Sequence, residues 1–251
     1  MSTGGSIYIK LAFILLCKCC LFSSLVRGDE ITLFVEDNFY PFSKEDGTGI
    51  SNTIVLESFQ LMGIQAKLTV YPFARLMANL ENNVGLGGFN AVPVNDLPER
   101  YVFGSESIYD SYTYFYYHKN RPIQFSNLNE LDRPDLRVGE VNGYIYSQEY
   151  LDLGFTRSKM KSDRHLIQML MLNRLDLAYM TARVAEYHMR QLGIPEGTLV
   201  RVEGIGAAKL PLHVAFNREH PKAKYYADRL DRGLKLLKAS GRYYEILNAI
   251  Y

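Results

Sequence analysis

One segment of the chain gathers groups that could hold a small anion. An apolar run ends in Gly87-Gly88-Phe89-Asn90, passes through Asn95 and Asp96, and closes on Leu97-Pro98-Glu99-Arg100. A guanidinium fixed at the edge of an amide-rich loop suits a carboxylate, because its planar fork donates two parallel charge-assisted hydrogen bonds. A surface salt bridge is the other use of Arg100, and the local sequence leaves both open. Other chemistry is poorly served. The histidines His118, His165, His188, His213 and His220 are scattered, and none has His-Glu-x-x-His spacing. His165 and His188 fall on helices expected to face solvent, while His213 sits mid-strand as a core histidine would. Gly85, Gly87 and Gly88 lack a phosphate-loop lysine and read as close backbone packing. No Gly-x-Ser-x-Gly elbow is present. Neither a catalytic residue, nor a metal site, nor a cofactor is therefore expected.

The N-terminus bears on compartment. Lys10 precedes an apolar stretch from Leu11 to Val26 that Lys18 interrupts, and Val26 and Gly28 suit a signal-peptide cleavage site. Residues 1–28 are expected to be a secretory signal peptide, and Lys18 argues against a stable span. All three cysteines, Cys17, Cys19 and Cys20, lie inside this segment, so the mature chain is expected to have no thiol and no disulfide. A lipid anchor is disfavoured by Leu16 and Lys18 before Cys17 and Cys19. Charge is nearly balanced, with 28 Lys and Arg against 27 Asp and Glu. Without a basic stripe, nucleic acid is not an expected partner. The aromatic pool of 19 tyrosines and 13 phenylalanines with no tryptophan suits a wet cleft as well as a core.

The elements that would position such a loop alternate between strand and helix periods. Ile31–Val35 and Ile64–Val70 read as strands, and a helix capped by Ser51 or Asn52 runs between them to Met62. Helical spacing returns over Phe73–Asn82. After the aromatic strand Tyr112–His118 a second series begins. It has strands at Arg137–Val141 and Leu175–Met180, and helices from Tyr144, from an Asp163 cap and from a Thr181 cap. Leu210–Phe216 is again strand-like, Pro221 opens a long amphipathic helix, and a last helix runs to Tyr251. This pattern implies an α/β fold with mostly parallel sheet and helices on both faces. The strands Tyr112–His118 and Leu210–Phe216 bracket the second series and read as two crossings between lobes. The expected organisation is lobe 1 from 29–114 and 214–251, and lobe 2 from 115–213. Ligands of open α/β sheets bind outside the carboxyl ends of the strands, which here carry Asp37–Phe42, Asn90–Arg100, Asn142–Tyr146 and Thr181–Arg183.

Several short motifs recur in order: Tyr40-Pro41-Phe42 with Gly49 after it, Leu97–Arg100, Val138-Gly139 before Asn142-Gly143-Tyr144, and Asn173–Leu177. The closing run Pro211–Phe216 and Gly241–Leu247 completes the set. No single motif is specific, but their order and spacing together resemble the family 3 extracellular solute-binding proteins, the periplasmic group of polar amino acid uptake. The resemblance covers roughly the whole mature chain. It implies a two-lobed type II periplasmic-binding fold with an interlobe cleft. It also implies a monomeric periplasmic binder of a small carboxylate-bearing solute, with an ABC-type permease as a possible partner. Carried over residue by residue, Arg100 holds the carboxylate, Phe39 stacks on the ligand with Tyr40 beside it, and Asn90 and Asn95 are polar loop contacts. Gly143 and Tyr144 approach from the second lobe with free backbone N–H groups.

The chain departs from the family at Thr181, where amino acid binders usually place an aspartate against the ligand's ammonium. Thr181 can contact the ligand or cap its helix, and Glu36 could supply the missing anion from the first lobe. Asp176 reads as structural. Two other functions fit the same fold. One is a periplasmic dehydratase of the cyclohexadienyl or arogenate type, with Glu36 as its acid. The other is a stand-alone sensing domain for a signalling partner.

Overall fold

The computed structural model describes residues 29–249. The expected signal segment with its three cysteines, and the final two residues of the expected C-terminal helix, lie outside the described residues.

The first series opens with strand β1 (Glu30–Glu36), a short hairpin of β2 (Asn38–Phe39) and β3 (Ser43–Lys44), and helix α1 (Ile50–Leu61). It continues with β4 (Gln65–Tyr71), α2 (Phe73–Glu81), β5 (Gly87–Ala91), the single turn α3 (Leu97–Arg100) and β6 (Tyr101–Val102). The expected cap of α1 is displaced. Gly49 precedes the helix, and Asn52 lies inside it, buried, donating back to the carbonyls of Gly47 at 2.8 Å and Thr48 at 3.2 Å. Its side-chain oxygen also accepts from Ser43 Oγ at 2.7 Å. Asn52 thus fastens the hairpin and its loop onto α1, which a capping role would not do.

The aromatic strand β7 (Tyr109–His118) leads into the second series: β8 (Arg137–Val141), α4 (Gln148–Leu151), β9 (Thr156–Met160), α5 (Asp163–Met171), β10 (Leu177–Thr181), α6 (Ala182–Gln191) and β11 (Leu199–Arg201). The long strand β12 (Ala208–Asn217) returns, followed by α7 (Ala223–Ala239) and α8 (Arg242–Asn248). Strands β9 and β11 escape the sequence patterns, because Thr-Arg-Ser-Lys-Met and Leu-Val-Arg carry too little apolar alternation. The helix expected from Tyr144 begins only at Gln148, with Ser147 as its cap. Asp163 is not the cap of α5; Ser162 is, accepting from the His165 amide.

The sheet order is β4-β1-β5-β12-β7-β10-β8-β9. Strands β4, β1 and β5 run parallel, as do β10, β8 and β9, while β12 and β7 are antiparallel to their neighbours. Each lobe is therefore a parallel core edged by a crossing strand. The first half of β12, Ala208–Leu212, pairs with β7, and its second half, from His213, pairs with β5. The register shifts between His213 and Val214. Opposite that shift β5 carries one unpaired residue, Asn90, in the left-handed region at φ 67. This is a β-bulge, which bends the strand and re-aims a side chain.

Separate cores hold the lobes. In the first, Ile54 and Phe59 of α1 pack with Leu230 and Leu234 of α7, all almost fully buried. Each such side chain is worth about 1.5–3 kcal/mol against exposure. Gly233 lets the two helices touch, since a Cβ there would stand 2.1 Å from the Ser58 carbonyl oxygen. In the second lobe Leu166, Ile167 and Leu170 of α5 pack under β8 and β10. Asp176 is structural, as expected: it accepts from the Arg137 amide at 3.0 Å and guanidinium at 2.8 and 2.9 Å, and from Arg121 at 2.8 Å.

Candidate functional site

The parallel strands of both lobes point their carboxyl ends into one gap, as open α/β sheets require of a ligand site. Glu36 is the last residue of β1, Asn90 sits on the β5 bulge, Thr181 ends β10, and Asp163 starts the helix after β9. Together with Phe39 and Tyr144 they line a cavity of about 70 Å³. That is room for a few water-sized centres, hence for a compact solute. The crossing strands floor it with Ser111 and Thr113 of β7 and Leu210 and Leu212 of β12.

The lobes are closed over this cavity. Asn95 Nδ2 donates to the Tyr146 carbonyl at 2.9 Å. Tyr40 stacks on Tyr187 with centroids 5.6 Å apart and meets His188 edge-on. Tyr144 sits edge-on to Phe39 at 6.0 Å and Phe73 at 5.5 Å. Gly143 lies in the left-handed region at φ 83, and a Cβ there would come within 2.7 Å of Ala74 Cβ in the first turn of α2. Only glycine combines that turn with that approach. Thr181 occupies the cap position of α6 but makes no side-chain capping bond; its hydroxyl stands 3.5 Å from that of Thr113, facing the cavity.

Of the residues singled out in the sequence, Glu36, Phe39, Asn90, Tyr144 and Thr181 are brought together around the cavity. Tyr40, Asn95 and Gly143 join the lobes beside it and do not line it. Arg100 is placed elsewhere, and the expectation of a cavity guanidinium is corrected. The turn Leu97–Arg100 buries Leu97 as its anchor and swings Arg100 outward. There it pairs with Glu81 at 3.2 Å and Asp96 at 3.8 Å, with its side chain 40% exposed. The free N–H groups expected at Gly143 and Tyr144 are also not found at a helix start. The Tyr144 amide closes a turn onto the Val141 carbonyl at 3.3 Å. His188, expected in solvent, is buried beside Tyr40 and Tyr187 with neither ring nitrogen bonded, and burial holds its pKa down at about 4.

Asp163, Phe73, Ser111, Thr113, Tyr146 and Tyr179 were missed. For the strand residues a signal existed: Ser111 and Thr113, like Tyr179 and Thr181, are two apart, so each pair faces one side of its strand. Asp163 reads as a cap in the sequence, whereas the structure makes it a buried acid one residue inside the helix.

The electrostatics of the cavity are one-sided. Every charged side chain that lines it is acidic. Burial pushes Glu36 well above the usual carboxylate range, the neighbouring Asn90 amide offsetting this only in part, and it lifts Asp163 to about 7. Burial and then the Glu36 charge push the Tyr144 hydroxyl up. Neither amide atom of Asn90 makes a close hydrogen bond, although its amide lies beside the Glu36 carboxyl, and Asp163 Oδ2 is likewise unpartnered. Among the described residues no group of three or more His, Cys, Asp or Glu is arranged to hold a metal ion, and no helix is long and apolar enough to cross a membrane.

No family model and no curated protein matches this sequence. Solved structures do. The GluR0 ligand-binding core from Nostoc punctiforme, in complex with L-glutamate, superposes with a TM-score of 0.72 at 15% identity, covering 87% of this chain and 97% of that one. The amino acid ABC transporter substrate-binding protein AbpA from Streptococcus pneumoniae, bound to L-arginine, gives 0.68 at 16% identity over 88% and 93%. An ancestral amino acid-binding protein described as a precursor of cyclohexadienyl dehydratase gives 0.69 at 16% identity over 88% and 94%. The chain has the two-lobed, periplasmic-binding-protein-like fold. At these identities the likeness speaks for the architecture alone.

Proposed function

We propose that the protein is an extracytoplasmic solute-binding protein that captures a small molecule between its lobes and closes over it. The observation that carries this reading is the cavity itself. Five residues from the carboxyl ends of strands in both lobes converge on it, and contacts between the lobes shut it. A ligand touching both lobes favours the closed state by its differential affinity for it. The solved neighbours that bind glutamate and arginine support capture of a small polar solute. With Arg100 on the surface, the guanidinium argument for a ligand carboxylate falls away.

We further read residues 1–28 as a secretory signal, the periplasm as the compartment, and a monomer delivering solute to an ABC-type permease as the working unit. The lobes are assigned as 29–114 with 214–251, and 115–213; the register break between His213 and Val214 supports the second hinge. Small-angle scattering during titration with small polar solutes tests the proposal, with compaction at saturation as the expected result. An unchanged profile with every bound solute would count against a hinged binder.

A second reading, a lyase on the same fold, draws on one observation. Glu36 is buried, and burial raises its pKa well above the usual carboxylate range, which favours the protonated form that a general acid needs. The neighbour described as a dehydratase precursor shares the fold. NMR of a bound solute over hours separates the two readings: conversion supports the lyase, intact recovery the binder.

A further inference from the structure

We propose that the cavity takes a small organic amine, bound as its ammonium ion, and requires no carboxylate on the ligand. The inference rests on the solute-capture reading and names the chemical class that the site selects.

Charge gives the first argument. Glu36 comes from the first lobe and Asp163 from the second, 3% and 2% exposed, and no lysine, arginine or histidine lines the cavity with them. A carboxylate placed there would be buried without any cationic partner, which desolvation opposes. An ammonium meets both acids only when the lobes are shut.

Unsatisfied groups give a second, independent argument. Asn90 is 6% exposed, lines the cavity and has neither amide atom bonded, and Asp163 Oδ2 is also open. The open acceptors among these, Asn90 Oδ1 and Asp163 Oδ2, need donors, and an ammonium N–H supplies them. The Asn90 side chain is presented there by the bulge in β5, at a backbone angle that asparagine tolerates better than most residues.

The wall supplies the third. Rings of Phe39, Phe73, Tyr144, Tyr146 and Tyr179 surround the space. Aromatic faces attract cations electrostatically and offer an anion nothing comparable. The two features suited to a carboxylate are engaged elsewhere: Arg100 with Glu81 and Asp96, and the Tyr144 amide with Val141. The enclosed space suits a compact ligand.

Calorimetry tests this with four probes on the full protein: n-butylamine, 1,4-diaminobutane, butyrate and L-glutamate. At least one amine is expected to bind saturably and both carboxylate probes to fail at equal concentration. Glu36→Gln and Asp163→Asn should each weaken the amine about thirty-fold or more, as loss of one partner of a buried charge pair does, with circular dichroism unchanged. Should either variant not fold, the comparison of probes on the unaltered protein still decides. Saturable binding of butyrate or L-glutamate without response to the amines overturns the amine assignment and leaves solute capture standing. Silence from all four probes overturns the amine assignment, and the scattering titration with other small polar solutes then decides whether solute capture stands.

Discussion

Gly143→Ala is the sharpest way to separate closure from folding. Two penalties follow from the structure and act on different states. The left-handed backbone, φ 83, costs an alanine about 1–2 kcal/mol whether the lobes are open or shut. The second penalty exists only when they are shut. The new Cβ would lie 2.7 Å from Ala74 Cβ, about 1 Å inside ordinary carbon–carbon contact, and neither atom belongs to a flexible side chain. Relief requires moving the lobes apart, which breaks the Asn95–Tyr146 bond and the Tyr144 ring contacts. If that costs the closed state about 1.4–2.8 kcal/mol, the apparent affinity falls roughly ten- to hundred-fold. Denaturant unfolding reads the first penalty and ligand titration the second. Adding Ala74→Gly removes the opposing methyl and should recover most of the affinity while leaving the stability loss in place. Unchanged affinity in Gly143→Ala, or no recovery in the double variant, would refute the reasoning.

Arg100→Ala should change neither affinity nor stability by more than about 0.5 kcal/mol, because its ion pairs are solvent-exposed; a tenfold loss of binding would return Arg100 to the site. The buried acids set a pH dependence: a carboxyl whose folded pKa is raised favours the folded state at low pH and loses that contribution as pH climbs. For Asp163 the window runs from about 4 to about 7 and is worth up to about 4 kcal/mol, so unfolding of the ligand-free protein should be easier at pH 8 than at pH 5, and Asp163→Asn should flatten the difference. Amine affinity should move the other way, rising through about pH 7 as the site gives up protons; a flat profile would contradict a cation site. Asn90→Gly should fold normally, whereas Asn90→Val should lose about 1–3 kcal/mol, because a β-branched residue resists the left-handed bulge; equal stabilities would remove the bulge argument.

The parallel strands and most helices were legible because their apolar periods are set by burial, and burial on one face leaves a trace in the sequence. The hinge strands Tyr112–His118 and Leu210–Phe216 were legible for the same reason. The site was legible only in part. Glu36, Phe39, Asn90, Tyr144 and Thr181 sit at strand ends, a position that topology fixes. Arg100 misled because its orientation depends on which way one turn of helix faces, and Leu97 decides that by burying itself. Asp163 was hidden because a polar residue before an amphipathic run reads as a cap, and the strand that delivers it, β9, is mostly polar. His188 was hidden because the surface it packs on belongs to the other lobe, through Tyr40. Contacts between lobes leave no period in either.

Capture by closure is tested most directly across the mouth of the cleft. Glu99 on α3 and Gln148 on α4 are exposed and lie on opposite lobes beside the Asn95–Tyr146 contact. The only cysteines of the chain lie at positions 17, 19 and 20, so in protein lacking the leader Glu99→Cys and Gln148→Cys give a unique pair for spin labels. Pulsed electron resonance should report one short, narrow distance at saturating solute and a longer, broader distribution without it. The same distribution in both conditions, with binding confirmed by calorimetry, would contradict the account.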